Sequence, residues 1–161
     1  MPRVNLTLLP AHIKRGEKLW RITSDPISID TTGIAVNNFK VSSGSQLLLL
    51  DGVASKSSAD SLSLQMRDFE LTPFMGFPMR LGYEIKGLAS GVASLKAALN
   101  RGELTADIDI DSMTVNGTSV VPLCIDSRWD LDQQRVRLAM KNLKTGSEII
   151  RGYYAPQSKR Y

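Results

Sequence analysis

The chain has little that would cross-link, span a membrane or catalyse. It carries one cysteine among 161 residues, Cys124, so no disulfide can form within it. The neighbours of Cys124 are Val120, Val121, Pro122, Leu123 and Ile125, a setting for a buried inert thiol rather than a nucleophile. The one histidine, His12, offers no ligand pair, and its segment (residues 11–18) reads as a surface connection. Aromatic residues make up only 6% of the chain. No stretch approaches the roughly 20 apolar residues of a membrane-spanning helix. No charged-then-apolar leader follows Met1, which points to a cytosolic protein or to a piece excised from a longer one. A net charge of +4 is mild, and the basic residues are scattered, with doublets only at Lys14-Arg15 and Lys159-Arg160. Nucleic-acid surfaces concentrate such residues and interleave them with aromatics, so nucleic acid is not an expected partner.

Motifs for chemistry are equally sparse. G-x-S-x-G, H-E-x-x-H, G-x-x-x-x-G-K and G-x-G-x-x-G are all absent. Asp107, Asp109 and Asp111 suggest calcium, but an EF-hand loop needs glycine and glutamate where Ser112 and Thr118 stand. Ile108 and Ile110 intervene, so the three carboxylates line the wet face of a strand. The expectation is a protein that is not an enzyme and uses no metal or cofactor.

What is present is alternation. Leu62, Leu64 and Met66 alternate with Ser63, Gln65 and Arg67, which places the apolar set on one face of a strand. After Met66 two polar residues intervene, and the apolar series resumes at Phe69 and Leu71. One extra residue of this kind is what a β-bulge inserts when an apolar face survives a kink. The spacing recurs at Ile34, Val36, Phe39 and Val41, and at Ile108, Ile110, Met113 and Val115, and its first part recurs at Leu138, Met140 and Leu143. Each break contains an Asn or Asp, residues that tolerate unusual backbone angles.

The remainder reads as short strands. Residues 4–9, 19–22 and 27–30 are punctuated by Pro10, Gly16, Asp25-Pro26 and Gly33. The leucine run at 47–50 faces both ways, which suits a strand covered on both sides. Residues 88–99 fit a helix or a strand, and β neighbours on both sides favour the strand, with a hairpin turn at Asn100-Arg101-Gly102-Glu103. Residues 104–115 read as a bent strand pair, Asn116-Gly117 as a hairpin turn, residues 128–131 and 135–140 as a hairpin, and 148–154 as a last strand. Residues 72–79 hold two prolines and a glycine beside Phe74, Met75, Phe77 and Met79, a loop that either caps the core or forms a mobile apolar lip. The predicted fold is all-β, one domain over residues 1–161. It consists of ten to twelve short strands in a curved, mostly antiparallel sheet that forms an open groove, or alternatively a closed β-sandwich.

Several of these segments resemble the TamB group of the AsmA-like family. Gly87 and Gly91 flank a strand similar to the family's G-x-x-x-G run, residues 104–110 look like its recurrent alternating strand, and Val115-Asn116-Gly117 looks like its turn. Ser127-Arg128-Trp129-Asp130, Ile150-Arg151-Gly152-Tyr153-Tyr154 and Asp68-Phe69-Glu70-Leu71 are similar to strands that follow or close its repeats. The resemblance covers roughly residues 20–155. One departure, Val121-Pro122 where the family has glycine, bears on the local strand pairing.

The resemblance implies an open β-groove (a β-taco) with an apolar lining, in a periplasmic protein anchored in the inner membrane of a Gram-negative bacterium. This chain would be an internal or C-terminal piece of it. The implied role is lipid transport to, or protein assembly in, the outer membrane. The partners would be phospholipid or other acyl chains and an outer-membrane β-barrel assembly partner. The expected lining is Ile34, Val36, Phe39, Leu64, Met66, Phe69, Leu71, Ile108, Ile110, Met113, Leu138 and Met140, with Phe74, Met75, Phe77 and Met79 at the groove edge. The competing reading is a β-sandwich for adhesion or carbohydrate binding, with Trp20, Trp129, Tyr153 and Tyr154 as its platform.

Overall fold

A computed structural model of the chain describes residues 3–71, 82 and 84–155. Among these residues there is no helix. There are thirteen strand segments: β1 (Val4–Leu6), β2 (Ala11–Arg15), β3 (Lys18–Thr23), β4 (Ile27–Ile29), β5 (Gly33–Ser43), β6 (Gln46–Ser55), β7 (Ser61–Glu70), β8 (Ile85–Lys96), β9 (Glu103–Val115), β10 (Thr118–Ser119), β11 (Leu123–Asp130), β12 (Arg135–Asn142) and β13 (Glu148–Tyr154). All belong to one antiparallel sheet that does not close. The open curved sheet is therefore the fold, and the two-sheet sandwich is not.

Three pairs of segments are single strands with a break. Arg21 faces Ser42 and Ser28 faces Ala35 at the same offset, so β3 and β4 run along β5 in one register. The same holds for β1 and β2 against that strand, and for β10 and β11 against β9. The breaks contain Pro10, Pro26 and Pro122, which have no N–H to give to a ladder. The result, among the described residues, is a meander of ten strands, each antiparallel to the next.

Two bulges fall where the interrupted alternation places them, at Asn37-Asn38 and Arg67-Asp68, and the third lies one residue later than expected, at Ser112-Met113 rather than Asp111-Ser112. Val36 pairs with Gly52 and Phe39 with Leu50, leaving Asn37 and Asn38 opposite Asp51 alone. Arg67 and Asp68 stand opposite Ser90 alone, and Ser112 and Met113 opposite Gly87 alone. The second bulge residue (Asn38, Asp68) or the first (Ser112) has a positive φ of 50°, 46° or 52°. In two cases the opposing side chain accepts the freed amide: Asn38 N–H donates to Asp51 Oδ2 (2.9 Å) and Asp68 N–H to Ser90 Oγ (2.9 Å). The glycine next to each acceptor, Gly52 or Gly91, has φ of 118° or 144°. A Cβ on either would collide with a neighbouring carbonyl oxygen, that of Ser61 or of Asp107.

Four expectations are corrected. The fourth bend has no bulge at Lys141-Asn142; the extra residue is Ile149 on β13, and Asn142 Oδ1 instead accepts the amides of Lys144 and Thr145 in the turn. The His12 segment is strand β2, because Ile13 and Arg15 alternate with His12 and Lys14 in pairing with β3. Residues 103–115 form one strand, not a pair. The turn after β8 spans residues 97–102, closed by Lys96 opposite Glu103, with Ala97 and Gly102 at positive φ. Residues 88–96 are strand, as expected.

The candidate groove

Residues directly opposite in a ladder point to the same face, so the register fixes which side chains share a surface. One rung runs Val41, Leu48, Met66, Gly91, Ile108, Ile125, Met140, Ile150 across eight strands. The rung beside it runs Phe39, Leu50, Leu64, Ala93, Ala106, Ser127, Leu138, Gly152. A third brings in Val36, Leu62, Leu95 and Leu104, and Phe69, Ala89, Ile110 and Leu123 form another on the far side. At about 4.8 Å per strand an eight-strand rung is on the order of 34 Å long. Apart from Ser127, these four rungs carry hydrocarbon, thioether or glycine.

All twelve expected lining residues are described. Ten are placed by register on this one face, Leu71 follows Phe69 in the same phase, and Met113 is the second residue of the bulge opposite Gly87. They differ in cover. Val36, Phe69 and Ile110 are buried, Leu138 is 37% exposed, and the others are half-buried. No second layer lies over the face among the described residues. Phe74, Met75, Phe77 and Met79, the expected lip, lie outside the described residues.

The opposite face carries Ser63, Gln65, Arg67, Asp107, Asp109, Asp111, Asp126 and Arg128. The aspartates thus line the wet face. Leu47 and Leu49 also point this way, since they pair with Arg67 and Gln65. Among the described residues no layer covers them, and the expectation that the leucine run is covered on both sides does not hold; they stay half-buried beside longer polar side chains. Cys124 faces Asp109 on this side and is half-buried rather than buried. Its thiol lies 3.8 Å from Asp107 Oδ1. Burial, then the hydrogen bond and charge of Asp109, then Asp107, push its pKa up to about 11. The thiol is therefore protonated at neutral pH and a poor nucleophile.

Two contacts show how far the sheet curls. Trp20 on β3 and Phe69 on β7 are three ladder steps apart, about 14 Å on a flat sheet. Their ring centroids lie 5.5 Å apart, edge to face at 68°. Beside them Lys18 Nζ meets Glu70 Oε2 at 2.8 Å, joining the same two strands. Trp20, Val41 and Phe69 form the buried cluster, with Ile22, Phe39, Leu48 and Met66 packed on it. Next to the cluster a cavity of about 490 Å³ is lined by Ile13, Arg15, Trp20, Ile22, Phe39, Val41 and Leu48. At the diagonally opposite corner Leu95, Leu104, Val136, Leu138 and Tyr154, from β8 to β13, line one cavity of about 410 Å³.

The aromatic platform does not assemble. Trp20 is in the core, and Trp129 and Tyr154 face inward at the far end opposite Val136. Tyr153 faces outward beneath the Arg135 guanidinium, 3.8 Å from its ring centroid. Of the residues around the cavity beside Trp20, sequence reasoning missed Ile13, Arg15, Trp20, Ile22, Val41 and Leu48 as lining residues. Continuing the two-residue period from Phe39 reaches Val41, but Leu48 lies in a leucine run without a period, and the β2–β3 hairpin has too little alternation to show itself. Comparison with family models, with curated proteins and with solved structures gives no match to this chain.

Proposed function

We propose that the chain is a non-enzymatic segment of a cell-envelope protein whose curved sheet holds acyl chains on its apolar face. In the whole protein it would serve phospholipid transport to, or protein assembly in, the bacterial outer membrane. The observation that carries this reading is the apolar surface across eight strands, broken only by Ser127 and exposed towards Leu138 and Ile150, with no covering layer among the described residues. A soluble domain ordinarily hides a face of this extent. A hydrocarbon chain laid in the trough gains roughly 0.8 kcal/mol for each CH₂ removed from water, while a head group stays wet at the open side. The resemblance of residues 20–155 to the TamB group supplies the envelope context, with an outer-membrane β-barrel assembly partner and an inner-membrane anchor in the full protein.

Saturable binding of a fluorescent fatty-acyl probe tests the reading. Ile108→Asp and Leu138→Asp, on the inward face, are expected to weaken it at least about tenfold, since a buried charge costs well over 1.4 kcal/mol. Gln65→Asp, on the outward face, should leave it unchanged, with far-UV circular dichroism confirming that each variant is folded. Absence of saturable binding by the unaltered chain overturns the proposal.

A further inference from the structure

The cavity beside Trp20 differs from the one at the opposite corner in its cation, since Arg101 there is paired with Glu103 at 2.9 Å. Six of its seven lining residues are apolar, and the seventh is Arg15. The register of β2 on β3 places Ile13 opposite Trp20 and Arg15 opposite Lys18, so the guanidinium sits on the groove side of the sheet, at the strand end. Lys18 is held by Glu70 at 2.8 Å. Arg15 forms no ion pair with any described residue. A cavity of about 490 Å³ is of ligand size. An arginine at the mouth of a hydrocarbon-lined cavity is suited to a planar or tetrahedral oxyanion, which it can bind through two parallel N–H donors.

We propose that this corner is a discrete site for a single-chain anionic amphiphile. The acyl chain lies on Trp20, Ile22, Phe39, Val41 and Leu48, and its carboxylate or phosphate head group pairs with Arg15. The inference rests on the acyl-binding reading above and adds a location and a head-group charge to it. Trp20, which lines the cavity, also meets Phe69 edge to face, so the site lies where β3 curls towards β7. Neutral amphiphiles share the apolar contacts and lack the ion pair.

Trp20 reports on its own site. In a Trp129→Phe background it is the one tryptophan, and bromine on an acyl chain in contact with it quenches its fluorescence. Brominated stearate, brominated lysophosphatidylglycerol and brominated stearyl alcohol, each below its micelle concentration, serve as probes. The anionic probes are expected to quench Trp20 at concentrations about tenfold lower than the alcohol, the worth of one charge-assisted pair. Arg15→Gln, at an exposed residue, should erase that difference and leave alcohol binding as it was. Preference for stearate alone, or for the phospholipid alone, identifies the head group and supports the site. Equal binding of all three probes, or indifference to Arg15→Gln, overturns the head-group assignment and leaves the groove reading standing. Saturable binding that does not quench Trp20 puts the chain elsewhere and overturns the site. Absence of all binding overturns both.

Discussion

At the scale of residues, the apolar face contains two populations that the sequence pattern does not separate. Phe69 and Leu138 occupy equivalent phases of the same template, yet Phe69 is 2% exposed against Trp20 and Leu138 is 37% exposed. Phe69→Ala should therefore cost about 3–5 kcal/mol of unfolding free energy, and Leu138→Ala about 1 kcal/mol or less. Urea denaturation checks both, and equal costs would mean that Leu138 is as firmly packed as Phe69. Cys124 makes a second residue-scale case. Its pKa of about 11 lies above the ordinary thiol value, so the folded chain keeps the proton that the unfolded chain releases, and the thiol's contribution to stability is lost as pH rises through that range. Alkylation of the native chain should show a midpoint near pH 11, moved downward by Asp109→Asn. A midpoint at or below 9 would contradict the placement of Cys124 beside the two carboxylates.

At the scale of elements, two of the three bulges are a three-part device: a polar pair with one left-handed residue, an opposing side chain that accepts the freed amide, and a glycine next to it. The first part was legible, because Asn37-Asn38 and Arg67-Asp68 break the two-residue period visibly. The other parts were not, because Asp51-Gly52 and Ser90-Gly91 read alone as ordinary turn or helix-cap residues. Their meaning comes from register. Ser90→Ala removes the acceptor of the Asp68 amide and should cost about 1 kcal/mol. Gly91→Ala combines a positive φ of 144° with a collision against the Asp107 carbonyl oxygen and should cost well over 2 kcal/mol. Equilibrium unfolding of the two variants measures this ranking, and a Gly91→Ala chain as stable as Ser90→Ala would contradict it. The leucine run shows the same limit. Four consecutive leucines have no period, and only pairing with Met66 and Leu64 turns Leu48 and Leu50 inward and leaves Leu47 and Leu49 outside.

At the scale of the whole molecule, strand content, the bends and the identity of the apolar face follow from local alternation. How far the sheet curls does not, because the Trp20–Phe69 contact joins strands that no local pattern connects. Nor does the β2–β3 edge, where basic residues mask the alternation and conceal Arg15. A single-layer sheet with one oily side has an unusual balance. Hydrocarbon left half-exposed costs free energy that a ligand recovers on binding. Excess acyl ligand should accordingly raise the melting temperature of the unaltered chain and raise it less in Leu138→Asp. A shift of the same size in both would place the ligand off this face.

The most direct measurement reads the two faces alternately. A photoreactive benzoylphenylalanine is placed in turn at Leu64, Ile108 and Leu138, which face inward, and at Gln65, Asp109 and Arg137, which face outward. Each chain is then irradiated with radiolabelled phospholipid. The account predicts labelling at the three inward positions and none at their immediate neighbours. Labelling of both sets alike, or of the outward set alone, would contradict it.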